Sequence, residues 1–267
     1  MTGEAGGAAR LGAAAAAWTR THRVEAGGVS ERYREAGAGP VVVLVHGLGV
    51  SADYWYRNGP GLAAAGLRVL APDLPGFGRT EGPGEMSVPE QTAALARWAD
   101  AMGVGPAVYV GHSLSCQTVL ELAAWSPERV RGLVLASPTG APQRRRILHQ
   151  ALGFLRDVPR EPPKLVPVVA EAYLRAGPLR VWRTWRQGAK HDPLPLLPRV
   201  RAPGMVVVGR RDPVVPPEFA EALAAGLPRG RMVWIEDAAH AVHFGRPEAF
   251  NAAVLELVEE LEGTGAG

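Results

Sequence analysis

The run Val108-Tyr109-Val110 leads without a break into Gly111-His112-Ser113-Leu114-Ser115-Cys116, and an apolar helical stretch, Val119-Leu120-Glu121-Leu122-Ala123-Ala124, comes directly after. A strand that ends in Gly-x-Ser and turns directly into a helix leaves the chain little freedom. The turn forces the serine into a strained backbone conformation. The residues two before and two after it must be small so that helix and strand can approach. Gly111 and Ser115 meet that demand, with Ser115 standing where a second glycine is usual. Short matches of this kind arise by chance in an alanine-rich chain. The strand before and the central, mostly apolar helix after are what make Ser113 the candidate nucleophile.

The rest of the chain keeps a strand–helix rhythm. The run 41–45 is β-branched apart from one leucine, as expected of a strand buried on both faces of a parallel sheet, and it ends in His46-Gly47-Leu48-Gly49. A second buried strand, 67–71, ends at Pro72-Asp73-Leu74-Pro75-Gly76-Phe77-Gly78. Ser87-Val88-Pro89-Glu90 reads as a capping box, with Leu95, Trp98, Ala99 and Met102 at helical spacing behind it. Strands at 133–136, 205–208 and 232–235 and helices at 217–227 and 247–261 continue the pattern. Such alternation predicts a parallel sheet covered by helices on both faces. Ahead of it, 18–25 and 31–35, separated by Ala26-Gly27-Gly28, read as a hairpin. Residues 1–16 read as a frayed leader, because alanine is only weakly apolar and a lone Arg10 makes a poor basic flank for a signal segment.

Residues 139–198 break the rhythm. They are rich in proline and hold no strand-like run, but two amphipathic helices fit. One carries Ile147, Leu148, Ala151, Leu152 and Leu155. The other, interrupted at Gly177-Pro178, carries Val168, Val169, Ala172 and Tyr173, then Leu179, Trp182 and Trp185. The domain reading is therefore a leader (1–16), an α/β core in two parts (17–138 and 199–267) and a helical insertion between them. Charge follows the same division. Residues 139–200 hold twelve Lys/Arg against four Asp/Glu, a local +8, while the whole chain of 267 residues is only +3. That total is too small to argue for nucleic acid, and no basic–aromatic stacking pattern is present. The run Arg144-Arg145-Arg146 is either a solvated helix face or a site for an anionic group. No stretch approaches the roughly 20 apolar residues that span a bilayer. Cys116, the single cysteine, excludes an internal disulfide, and a cytoplasmic protein is expected.

A serine hydroxyl needs a base to take its proton. Asp212 follows the strand 205–208, and His240 follows the strand 232–235. Parallel strands present their carboxyl ends on one edge of a sheet, so Ser113, Asp212 and His240 are expected to converge. Glu236 and Asp237 are rival acids, and His243 is a rival base. His46 is expected to be a hydrogen-bonding post for its loop, and His112 to pack beside the serine with its ring turned from the reacting centre. Cys116 is expected to be a buried small residue.

Together, His-Gly-Leu-Gly at 46–49, Asp-Leu-Pro-Gly-Phe-Gly at 73–78, the elbow at 111–115, Gly-Arg-Arg-Asp at 209–212 and His240 with Arg246-Pro247-Glu248 resemble the α/β-hydrolase family. The resemblance runs from about residue 18 to the last helix. It implies Ser113 as nucleophile, His240 as base and then acid, and Asp212 as its orienting partner. It also implies an oxyanion hole from the backbone N–H groups of Leu48 and Leu114. The insertion would be a cap over the serine, with Trp182 and Trp185 as candidate pocket walls. The expected protein is a cofactor-free, metal-free serine hydrolase acting on a small-molecule ester, without membrane insertion. A carbon–carbon bond hydrolase, an acyltransferase and a ligand-binding receptor on the same fold are the alternatives. Carbon–carbon hydrolases often carry a tryptophan after the catalytic histidine, whereas here Ala241 follows His240.

Overall fold

The computed structural model describes residues 2–141 and 146–264. Its centre is an eight-stranded sheet in the order β1-β2-β4-β3-β5-β6-β7-β8. The strands are β1 (His22–Ala26), β2 (Val29–Ala36), β3 (Val41–Val45), β4 (Arg68–Pro72), β5 (Ala107–His112), β6 (Val130–Ala136), β7 (Gly204–Gly209) and β8 (Arg231–Ile235). β1 and β2 pair antiparallel through a turn at Gly27-Gly28, where both residues have positive φ (59° and 82°), as a tight hairpin turn requires. β2 runs antiparallel to β4, and the remaining pairings are parallel.

Continuous apolar strands serve two layers at once, because alternate side chains point to opposite faces. Val43, Val45, Tyr109, Leu133 and Val206 pack with α3 (Val88–Ala101), α4 (Ser115–Trp125) and α8 (Pro217–Gly226). Val42, Leu44, Val108, Val110 and Val134 pack with α1 (Thr2–Trp18), α2 (Gly59–Ala64) and α10 (Pro247–Thr264). The capping box forms as the sequence predicts: the Ser87 side chain accepts from the Glu90 N–H, and the Glu90 carboxylate accepts from the Ser87 N–H.

The leader differs from expectation. Thr2–Trp18 is a helix, not a frayed segment, and Trp18 belongs to it while the first strand starts at His22. Alanine supplies strong intrinsic helix propensity, and buried Ala14 and Trp18 anchor the end of the helix. A Cβ on Gly59 of α2 would overlap the Trp18 ring, so glycine is what admits the indole.

Between β6 and β7 lie α5 (Arg146–Asp157), α6 (Leu165–Ala176) and α7 (Pro178–Gly188), with no strand among the described residues. Gly177, at φ 81°, separates α6 from α7 where the sequence suggested. The side chains of Arg144, Arg145 and Arg146, and of Ile147 and Leu148, lie outside the described residues. α9 (Val242–Gly245) is a single turn before α10. Chain order reverses between β3, which is followed by β4 on one side, and β5, which lies on the other. The crevice outside the carboxyl ends of β3 and β5 is therefore where an open α/β sheet offers a site.

Candidate active site

Ser113 stands one residue beyond β5, with φ at 55°, a conformation that costs energy for any side-chain-bearing residue. The demand for small neighbours is visible in distances. A Cβ on Gly111 would sit 2.5 Å from the Ser115 carbonyl oxygen and 2.8 Å from the Cys116 nitrogen. Ser115 does more than stay small: its hydroxyl donates to the His46 carbonyl oxygen and ties the head of α4 to the loop after β3.

His240 Nε2 lies 3.0 Å from Ser113 Oγ, and His240 Nδ1 lies 3.0 Å from Asp212 Oδ2. All three side chains are buried. Asp212 Oδ1 accepts from the N–H groups of Val214 (2.7 Å) and Val215 (3.2 Å), which leaves Oδ2 for the imidazole. Burial alone would raise the Asp212 pKa, but His240 and these two amides hold it below the ordinary carboxylate value. Burial likewise opposes charge on His240. Asp212, with Asp157 and Glu161 behind it, more than offsets that, and the imidazole pKa is raised. A hydroxyl, an imidazole and a carboxylate in series can pass the serine proton to Nε2 while the carboxylate stabilises the imidazolium.

The rival acids lie elsewhere. Glu236 pairs with Arg210, and Asp237 with Arg211 and Arg246, all largely exposed. His243 is fully buried among aromatic rings, 4.2 Å from the Trp55 ring and 4.5 Å from Tyr54, and burial holds its pKa well below the ordinary value. His46 accepts from the Leu74 N–H through Nε2, the post the sequence suggested. Cys116 is buried with its thiol toward backbone carbonyls. His112 lies nearer His240 than expected: its Nε2–H donates to the His240 carbonyl oxygen at 3.1 Å. Burial and the neighbouring His240 lower the His112 pKa to about 3, so the ring is a fixed neutral donor.

Neither the Leu48 nor the Leu114 N–H has a backbone acceptor among the described residues, and both lie beside the serine, on the loop after β3 and at the start of α4. The inserted helices close over this edge. The Tyr173 ring abuts Gly49, where a Cβ would come within 2.6 Å, and Gly188 of α7 abuts Leu114. Phe154 meets the His240 ring edge-on at 5.2 Å. Trp182 and Trp185 stack edge-to-face at 5.3 Å and, with Tyr173, Leu174 and Val181, line a cavity of about 560 Å³.

Sequence reasoning missed Asp157 and Glu161. Asp157 Oδ1 accepts from the His240 N–H at 3.0 Å, and Glu161 Oε1 from the Ala241 N–H at 2.6 Å. A signal existed: these are two of only four acids in the basic insertion, spaced four apart. Among the described residues no cluster of three or more His, Cys, Asp or Glu is arranged to hold a metal ion. No helix among them is long and apolar enough to cross a membrane.

Known proteins share this fold. A 2-hydroxy-6-oxo-6-phenylhexa-2,4-dienoate hydrolase of Burkholderia cepacia is 26% identical over 84% of this chain and 89% of its own. A magnesium-chelatase 30 kDa subunit of Rhodobacter capsulatus is 28% identical over 83% and 87%. The solved structure of a thermophilic esterase from Thermogutta terrifontis superposes with a TM-score of 0.79 at 24% identity, covering 91% of this chain and 99% of that one. The model of the alpha/beta hydrolase family matches residues 42–253, on the same strands and loops that carry Ser113, Asp212 and His240, and the chain belongs to that family.

Proposed function

We propose that this protein is a serine hydrolase of carboxylic esters, with Ser113 as nucleophile, His240 as general base and Asp212 as its orienting partner. The observation that carries this reading is the pair of 3.0 Å contacts that place His240 between Ser113 and Asp212. Ser113 Oγ attacks the ester carbonyl carbon while its proton passes to His240 Nε2. The N–H groups of Leu48 and Leu114 receive the developing oxyanion, each such donor contributing about 3–4 kcal/mol to the transition state. The imidazolium returns the proton to the leaving alkoxide, and the acyl group remains on Ser113. Water then attacks the acyl carbon and gives a proton to Nε2, and as the acyl–Oγ bond breaks that proton passes to Ser113 Oγ, which frees the acid and restores serine and neutral imidazole.

The inserted helices act as a cap. The cavity lined by Trp182 and Trp185 is apolar and aromatic, which suits an acyl or alcohol group without charge. No cofactor enters these steps, and the substrate is a small molecule. The direct test compares kcat/KM for p-nitrophenyl esters of increasing chain length with an anilide and a vinylogous diketone. The reading expects the esters to lead, with kcat/KM rising with chain length until the cavity is filled. Faster turnover of the diketone would favour carbon–carbon cleavage, the reaction that the Burkholderia relative's name describes. Turnover of none of them would favour a binding role.

A further inference from the structure

Two acids of the insertion reach past the cap and hold the backbone of the catalytic loop. Asp157 ends α5, and Glu161 comes one short turn later. Their oxygens accept the consecutive N–H groups of His240 and Ala241. The same helix meets both loops of the proton relay. Phe154 faces the His240 ring, and Gly153 lies so close to the acid loop that a Cβ would sit 2.9 Å from the Pro213 carbonyl oxygen.

We propose that Asp157 and Glu161 are positioning residues that share one proton and latch the inserted helices to the His240 loop, so that removing this proton opens the latch and slows the reaction at Ser113. The inference rests on the serine hydrolase reading for its effect on rate. The latch itself rests on the contacts above.

Proton sharing follows from the inventory of donors. Glu161 Oε1 is used by Ala241, and Glu161 Oε2 is buried with no donor on it among the described residues. The two acids hold consecutive backbone amides, which brings their carboxyl groups side by side. Like charges held side by side and away from water oppose double ionisation, so one proton is retained between them. With a proton on Oε2, Glu161 donates to Asp157 while both acids still accept a backbone N–H, and each group is satisfied. The charged and titratable groups facing the pair are His240 and Asp212 from the core loops and Tyr54 from the turn after β3, with Tyr173 of α6 behind Tyr54. No lysine or arginine pairs with either acid among the described residues. Burial, then Asp157, raises Glu161 to about 8, and burial raises Asp157 as well. The protonated, latched state therefore prevails at neutral pH. It is lost as pH rises through about 8, where two like charges would stand side by side on the cap face of the joint and drive the two acids apart.

Glu161→Gln separates this from a merely structural role. Glutamine can accept from Ala241 through Oε1 and donate to Asp157 through Nε2, copying the protonated acid at every pH. The first readout is the Ala241 amide resonance in ¹⁵N-labelled protein, which needs no catalysis. It should titrate with a midpoint of about 8 in the parent chain, and Glu161→Gln should lose that step and keep only the shift that tracks the His240 ring itself. The second is the rate at which a fluorophosphonate labels Ser113. It should fall about tenfold or more between pH 7 and 9.5 in the parent, and less than twofold in Glu161→Gln. An Ala241 resonance that does not move between pH 7 and 9.5, or the same alkaline loss in both proteins, would overturn the latch. A parent chain whose Ser113 is never labelled would count against the hydrolase reading, and the Ala241 titration would still decide the latch.

Discussion

His112 donates its Nε2–H to the carbonyl oxygen of His240 at 3.1 Å, so the residue before the candidate nucleophile braces the backbone of the candidate base. Asp157 grips the N–H of the same residue from the other side. His240 is thereby fixed at both ends of its own peptide frame, once from the sheet and once from the inserted helices. Its imidazole then has only ring rotation to settle, and the Asp212 carboxylate settles that.

Replacement of His112 by leucine should expose the value of the brace. It leaves the His240 carbonyl without its partner, which for a buried group costs about 1–3 kcal/mol. A lower denaturation midpoint, together with a kcat reduced about tenfold or more and little change in KM, is the expected outcome. A kcat equal to that of the parent would show that His112 only fills space.

The acid can be assigned by paired substitutions. Asp212→Asn should lower kcat by about 10⁴-fold, because the amide favours the wrong imidazole tautomer. Asp237→Asn should stay near the parent value, since its partners Arg211 and Arg246 are exposed and such pairs contribute little. The reverse pattern would move the acid to the turn after β8.

The acid limb of the rate profile should lie above the ordinary histidine value of 6.5, because the carboxylates around His240 raise its pKa. His240 must be neutral to accept the serine proton, so activity is lost as pH falls through that raised value. In stability the sign is opposite. The interaction between His240 and Asp212 is fully present below 6.5 and fades as pH rises through the folded value. A log(kcat/KM) that is level down to pH 5 would contradict the assignment of His240 as the base.

Glu31, far from the site on β2, offers a test of proton linkage in the fold. Burial raises its carboxyl to about 7, with Arg97 offsetting part of the effect. Between 4.5 and about 7 the native chain holds a proton that the unfolded chain has released, so this residue makes the fold less stable as pH rises through that window. Glu31→Gln removes the dependence. Thermal melts should show the variant gaining relative to the parent between pH 5 and pH 8. A constant offset between the two proteins across that range would refute it.

The convergence of Ser113, Asp212 and His240 was legible in the sequence because each follows a strand that announces itself. Val108-Tyr109-Val110, the run 205–208 and the run 232–235 are apolar and end at Gly111, Gly209 and Glu236, and parallel pairing brings their ends together. The helix at 2–18 was not legible because α1 shows little amphipathic contrast. Its anchors are a single alanine and a single tryptophan, and the tryptophan depends on a glycine in a distant helix. The role of Ser115 was invisible, since its hydroxyl serves a carbonyl on the loop after β3. Asp157 and Glu161 were missed for the same kind of reason. Their partners are backbone amides 83 and 80 residues further along, and no periodicity encodes such a pairing.

Ser113 is the residue that should carry the acyl group, and a single labelling experiment tests this directly. The protein is treated with a fluorophosphonate, the adduct is mapped by peptide mass, and turnover of p-nitrophenyl butyrate is followed in parallel with Ser113→Ala. One adduct on Ser113, loss of turnover in step with labelling, and a variant that is unlabelled and slower by about 10⁴-fold or more are the expected results. An adduct on another residue, or a Ser113→Ala protein that still turns over the ester within tenfold of the parent, would contradict it.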